Sequence, residues 1–203
     1  MSGGVFISYR REDAAGFAGR IYDRLIQTLG RESVFIDVDN IPAGLDFVDV
    51  LSERVGRCDA LIAVIGRNWL AAADRDNRRR VDDPNDFVRI EIGSALERSV
   101  PVIPVLVDGA AMPNADDLPD GLKKLARRQG IEISHNRFDS DAERLTDALT
   151  RIEERARARL AGASDKNLGA AALADLSSSP GARSRSPTSR CSTSSRLIRR
   201  SKR

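Results

Sequence analysis

The chain opens with the run Val5-Phe6-Ile7-Ser8-Tyr9-Arg10-Arg11, a short apolar stretch followed at once by polar and basic residues. A bounded apolar run of this length is typical of a buried strand. Apolar residues at helical spacing follow it as far as Leu29, and Gly30 suits the end of a helix. Asp13 is able to act as the N-cap of that helix. The opening of the chain therefore predicts a strand followed by a helix.

The same alternation of strand and helix continues to about residue 160. Further strands are predicted at Val34-Phe35-Ile36, Ala60 to Ile65, Val102 to Val107 and Ile131-Glu132-Ile133. Further helices are predicted at Phe47 to Val55, Phe87 to Leu96, within Leu118 to Arg128, and at Asp141 to Leu160. The strand runs are continuously apolar, which is typical of a parallel sheet with helices on both faces. Pro104, inside the fourth run, indicates an edge strand or a bulge.

Composition divides the chain into a predicted domain over residues 1–160 and a basic Ser/Arg-rich tail over residues 161–203. The last 27 residues hold ten serines, eight Lys or Arg and no Asp or Glu, so the first 176 carry 25 basic against 30 acidic residues. The tail has too little apolar content to offset the entropy of folding, and we expect it to be disordered. Because the folded domain is mildly acidic, the overall basic charge gives no reason to expect nucleic-acid binding there.

Composition also excludes several classes of protein. No apolar run approaches the roughly 18 residues of a membrane-spanning helix. The N-terminus lacks the features of a signal peptide, so we expect a cytoplasmic protein, with secretion as an effector as the alternative. The two cysteines and one histidine provide neither a disulfide framework nor a metal site.

The fold predicts where a ligand binds. For five strand–helix units the common strand order is 2-1-3-4-5, and ligands bind where that order reverses, at the carboxyl ends of strands one and three. The residues leaving these strands are Ser8 to Arg11 and Gly66 to Trp69, which suit a ligand that carries phosphates and rings. The carboxylates of a phosphoacceptor receiver domain are missing at these positions. The sequence also has no glycine-rich dinucleotide motif and no P-loop.

Glu91 is the most informative single residue. At 100° per residue, it shares one arc of its predicted helix with apolar neighbours such as Phe87, Ile92 and Ala95. A carboxylate in an apolar arc is costly unless it is paired or opens into a cleft. Two interpretations follow from the spacing: a structural ion pair with Arg10 or Arg11, or a cleft carboxylate with a perturbed pKa.

Together these segments resemble the TIR (Toll/interleukin receptor/resistance) domain family, in its bacterial type. Val5 to Arg11 resembles the first sequence box of the family, and Val34 to Gly44 resembles its second strand and BB loop. Asn68-Trp69-Leu70 stands where the family often has Asn-Tyr, and Asp86 to Ile92 is similar to the segment in which an aromatic residue precedes the catalytic glutamate by four positions. The resemblance covers roughly residues 3 to 155.

The resemblance implies a flavodoxin-like fold and cleavage of the nicotinamide–ribose bond of NAD⁺, here a substrate and not a cofactor, to nicotinamide and ADP-ribose or a cyclic isomer. Glu91 takes the catalytic position. Arg10 and Arg11 are expected at the diphosphate or ribose, with an ion pair to Glu91 or cover of the sheet edge as the alternative. Tyr9, Trp69 and Phe87 are expected to pack against the rings of the substrate, with core packing as the alternative.

The BB loop, here Asp39 to Phe47, contributes Ile41, Gly44 and Phe47 to the expected site. In this family the loop gates the pocket and docks on a neighbouring protomer, so we expect homo-oligomers or association with other TIR domains. The expected role is in immune-type signalling and bacterial defence. Two other functions fit the same residues: a non-enzymatic adaptor or decoy that binds TIR domains, and a nucleoside or nucleotide hydrolase of the same fold.

Overall fold

The computed structural model describes residues 3–36 and 55–176, with side chains as far as residue 158. Its strands are β1 (Val5–Tyr9), β2 (Val34–Ile36), β3 (Ala60–Ile65), β4 (Val102–Val107) and β5 (Ile131–Ile133). Its long helices are α1 (Arg11–Leu29), α2 (Phe87–Glu97) and α3 (Phe138–Leu176). The predicted helix from Phe47 to Val55 lies mostly outside these residues, although residues 55–57 are helical.

The strands form one parallel sheet in the order β2-β1-β3-β4-β5. This order confirms the prediction from the sequence. Both faces of the sheet are buried, because successive residues of a strand point to opposite sides and each side is covered. One apolar layer joins the sheet to α1 and α3, through residues such as Ile7, Ile21 and Leu145. The other joins it to α2, through residues such as Phe6, Trp69 and Ile92.

Pro104 does not mark an edge strand, since β4 lies between β3 and β5. Pro101 O accepts a hydrogen bond from Leu61 N on β3, and successive residues of a parallel strand point their polar groups to alternate sides. Pro104 N therefore points towards β5, whose pairing with β4 begins only at Val105. The missing N–H removes no ladder hydrogen bond at this position, so the proline is tolerated inside the sheet.

The first helix begins earlier than the sequence predicted. It runs from Arg11 to Leu29, with non-helical backbone angles at Ala14 (φ −138°, ψ 15°), and Gly30 follows it with a φ of 87°. Its N-cap is Arg10, which makes no side-chain cap hydrogen bond. Asp13 is not the N-cap of this helix. Its Oδ1 accepts a hydrogen bond from Asn68 N, 2.8 Å away, in the loop after β3. The side chain that resembled a cap ties two elements together instead.

The region from Leu118 to Arg128 is not a helix, contrary to the prediction. It contains 3₁₀ turns at Asp120–Leu122 and Leu125–Arg127, after a further one at Ala115–Asp117. Pro119 and Gly121 interrupt any longer helix here, and the turns close by i to i+3 bonds such as Leu122 N to Pro119 O at 2.8 Å.

The chain divides into two units, Met1–Ala161 and Gly162–Arg203. The backbone is helical as far as Leu176, beyond the predicted end of the last helix at Leu160 and into the segment predicted to be disordered. The disordered tail over residues 161–203 stays a prediction. No helix among the described residues is both long and apolar enough to span a membrane.

Candidate functional site

The candidate site lies at the carboxyl ends of β1 and β3, next to the point where the strand order reverses. β1 is flanked by β2 on one side and β3 on the other. Tyr9 ends β1, and Arg10 follows it directly. The loop after β3 begins at Gly66 and reaches Trp69 one turn later, where Trp69 N donates to Gly66 O over 3.2 Å. The structure thus brings the predicted segments to one edge of the sheet.

Arg10 is buried in the protein interior, with 1% of its surface exposed. Its Nη1 and Nη2 donate to the two carboxylate oxygens of Asp86 over 2.9 and 3.0 Å, and its Nε donates to Trp69 O over 3.1 Å. The guanidinium carbon also lies 5.5 Å from the centre of the Trp69 ring. Such a bidentate, planar arrangement fixes the guanidinium in a single orientation.

Asp86 is an ionic partner of Arg10 that the sequence did not indicate. It is the N-cap of α2, because its Oδ1 accepts from Arg89 N over 3.0 Å. Its Oδ2 accepts from Arg80 Nε over 3.1 Å, in addition to the bond from Arg10. An Asp directly before an apolar helical pattern is a recognisable N-cap signal. No local pattern, however, indicates that Arg10 is its partner.

Glu91 lies on α2 and is buried, with 7% of its surface exposed. It shares the inner side of the helix with the buried residues Val88, Ile92 and Ala95. This placement agrees with the arc predicted from the sequence. The sequence left open an ion pair between Glu91 and Arg10. In the structure Arg10 forms its ion pair with Asp86.

The aromatic residues at the site differ in exposure. Phe87 is 52% exposed at the start of α2, so ordinary core packing does not explain it. Trp69 is 1% exposed and belongs to the apolar layer under α2. Tyr9 is half-buried and packs against the layer formed with α1 and α3.

Arg11 is exposed at the first position of α1. The predicted site residues Ile41, Gly44 and Phe47 lie outside the described residues.

One further feature adjoins this edge. A cavity of about 240 Å³ opens beside the loop after β3, lined by residues that include Gly66, Arg67, Leu70 and Met112. Within the described part of the chain, no group of three metal-binding side chains comes together. His135 lies instead beside Arg20 and Phe17, with its Nδ1 3.2 Å from Arg20 Nη1.

A parallel five-stranded sheet in this order, with helices on both faces, defines a flavodoxin-like α/β protein. Residues 5–151 match the family model described as a TIR domain. The chain therefore belongs to the TIR domain family.

Two similar proteins are NAD⁺ hydrolases by name. The chain is 28% identical to the NAD(+) hydrolase sarm1 of Drosophila melanogaster and 31% identical to the NAD(+) hydrolase SARM1 of Danio rerio, over 141 residues in each case. These regions are 70% of this chain but only 10% and 18% of the two relatives. The chain thus spans less than a fifth of the length of either protein.

Solved structures similar to the chain include the TIR domains of the activated Roq1 resistosome recognising the effector XopQ, with a TM-score of 0.48 and 16% identity over 75% of this chain and 98% of that one. Another is a metazoan TIR-STING receptor from C. gigas in complex with 2′,3′-cGAMP. It has a TM-score of 0.43 and 20% identity, over 68% of this chain and 38% of that one.

Proposed function

We propose that this TIR domain cleaves the nicotinamide–ribose bond of NAD⁺, with Glu91 as the catalytic carboxylate, in immune-type signalling. The observation that carries the proposal is a carboxylate buried on α2, five residues after Asp86, which binds Arg10 at the end of β1. The names of the two similar proteins, both NAD(+) hydrolases, support NAD⁺ as the substrate.

A single carboxylate suits this reaction. Nicotinamide leaves as a neutral molecule from a cationic pyridinium, so its departure needs no general acid. Positive charge develops on the ribose, as in glycoside hydrolysis, and a carboxylate held beside it stabilises that charge. Water then attacks the ribose carbon and loses a proton, which gives ADP-ribose. Attack by a group of the adenine ring gives the cyclic isomer instead.

Phe87 supplies a surface for one of the substrate rings. Residues four apart lie on the same side of a helix, so the exposed Phe87 side chain stands one turn before Glu91. An exposed aromatic beside a carboxylate suits a ligand in which a ring is attached directly to the ribose. Arg11, exposed at the start of α1, is the arginine we assign to the diphosphate.

The test is nicotinamide release from NAD⁺ by the full chain at high protein concentration, alongside Glu91→Gln. Because the amide keeps the shape of the side chain and removes its charge, release is expected to fall by roughly 10²–10³-fold while the protein stays folded. Glu97→Gln is the matched control, since Glu97 is exposed at the end of the same helix and its loss leaves turnover unchanged.

Three outcomes contradict the proposal. If Glu91→Gln retains the wild-type rate, Glu91 is not the catalytic group. If the wild-type chain releases no nicotinamide at any concentration, the adaptor function becomes the better account of the domain. Competition by free nucleosides would instead indicate a nucleoside hydrolase.

A further inference from the structure

We propose that Asp86 is a positioning residue for Glu91, and that Arg10 acts on catalysis through Asp86 rather than by contacting the substrate. This inference rests on the proposed NAD⁺ cleavage. It assigns a role to a residue that the TIR resemblance left unassigned, and it changes the role expected of Arg10.

The carboxylate of Asp86 accepts four hydrogen bonds. Oδ1 receives Arg10 Nη2 and Arg89 N, each over 3.0 Å, and Oδ2 receives Arg10 Nη1 over 2.9 Å and Arg80 Nε over 3.1 Å. The side chain is 2% exposed and that of Arg10 is 0% exposed. Both charges are thus held in one geometry, with little solvent to screen their attraction.

These bonds join the elements that surround the site. Arg10 follows β1 and also donates to Trp69 O after β3, so the ends of both strands are tied to a single guanidinium. Asp86 connects that guanidinium to the first turn of α2, which carries Glu91 five residues further on. Arg80 extends the network to Glu12 on α1, over 3.2 and 3.3 Å to its carboxylate oxygens. The position of Glu91 relative to the strand ends therefore depends on Asp86.

A helix cap alone does not need this arrangement. Serine or asparagine would cap α2 equally well without a buried charge, and a buried ion pair is often no more stabilising than apolar residues of the same volume. The bidentate pair adds a fixed distance and angle between the sheet edge and α2. Because a displacement of about 1 Å in a reacting group costs up to 10²-fold in rate, that geometry bears on turnover more than on substrate affinity.

The test compares kcat and KM for NAD⁺ in the full chain for Asp86→Asn, Arg10→Gln and the double variant, below the melting temperature of each. Asparagine keeps the cap of α2 but removes the charge. We expect each single variant to lower kcat by roughly 10- to 100-fold with KM changed by less than about twofold, because only the transition state requires Glu91 in place. The double variant is expected to lose no more than the worse single variant, since both break one unit.

Asp82→Asn is the matched control. Asp82 also accepts a bidentate arginine, from Arg79 over 2.8 and 3.0 Å, but the pair is exposed and stands outside the network. Its kcat and KM are expected to equal those of the wild type. Arg10→Lys covers the case in which Asp86→Asn does not fold, because lysine keeps the charge and loses the planar fork. It is expected to lower kcat at unchanged KM.

The failure of this inference can be distinguished from the failure of the proposed function. A raised KM at unchanged kcat in Arg10→Gln or Arg10→Lys would place Arg10 on the substrate and overturn the inference. Wild-type kcat in folded Asp86→Asn, or additive losses in the double variant, would do the same while leaving NAD⁺ cleavage intact. A wild-type chain without turnover would overturn both.

Discussion

Cys58 is a buried thiol directly after the helical residues 55–57 and two positions before β3 begins. Burial, with the charge of the neighbouring Asp59 adding to it, raises the pKa of the Cys58 thiol from 9.0 to about 11. Thiolate is the nucleophilic form of cysteine, so this residue is suited to packing and not to chemistry.

The raised pKa of Cys58 predicts a loss of stability in alkali. Between about pH 9 and 11 the unfolded chain gives up this proton while the folded chain keeps it. The free energy of unfolding therefore falls with rising pH across that range, and the contribution is constant below it. Denaturant unfolding of the wild type and Cys58→Ala at pH 8 and pH 10.5 isolates the effect from other groups. The stability gap between them should narrow at pH 10.5, and an equal gap at both pH values contradicts the assignment.

At the level of elements, α1 contacts the loop after β3 through the side chain of Asp13, which lies against Gly66. Asn68 N donates to Asp13 Oδ1 over 2.8 Å, and a Cβ atom at Gly66 would lie 2.5 Å from Asp13 Oδ2. A methyl group at this position would force the Asp13 carboxylate away from the loop. Glycine is favoured here by this close approach and not by its backbone angles.

Gly66→Ala is accordingly expected to destabilise the domain by about 1–3 kcal/mol, the usual cost of forcing an extra methyl group into a packed contact. Gly19→Ala provides the opposite case. A Cβ at Gly19, inside α1, meets nothing within 4 Å, and alanine there should stabilise the helix by about 0.5–1 kcal/mol. Denaturant unfolding of both variants measures the change in the free energy of unfolding, which should decrease for Gly66→Ala and increase for Gly19→Ala. A neutral Gly66→Ala would mean that Asp13 moves aside without cost.

For the whole molecule, the TIR resemblance predicts that assembly completes the site through the BB loop, Asp39 to Phe47. Specific activity should then rise with protein concentration, because the fraction of assembled chains rises by mass action. Nicotinamide release measured over several decades of dilution tests this, with a bulky residue at Gly44 expected to reduce the activity. Constant specific activity at every dilution would indicate that one chain holds the complete site.

The sequence by itself determined the order of the elements, the parallel sheet and the arc that buries Glu91. Hydrophobic periodicity is a local property of the sequence. In β3 and α2 the consecutive residues themselves show it, so these elements can be predicted without knowledge of the tertiary structure. Short segments whose periodicity is weak were predicted less well. The region after Leu118 became 3₁₀ turns because Pro119 interrupts it. A cap was assigned to Asp13 because the apolar residues at helical spacing begin directly after it, although the helix itself begins at Arg11.

Tertiary structure alone decided the partners of the charged residues and the exposure of the aromatic ones. Arg10 and Asp86 are 76 residues apart in sequence, and nothing near either residue indicates the other. Phe87, the first residue of α2, shares the arc of Glu91 yet is 52% exposed. Such contacts depend on where distant elements meet in space, and that is settled only when the sheet and its helices pack together.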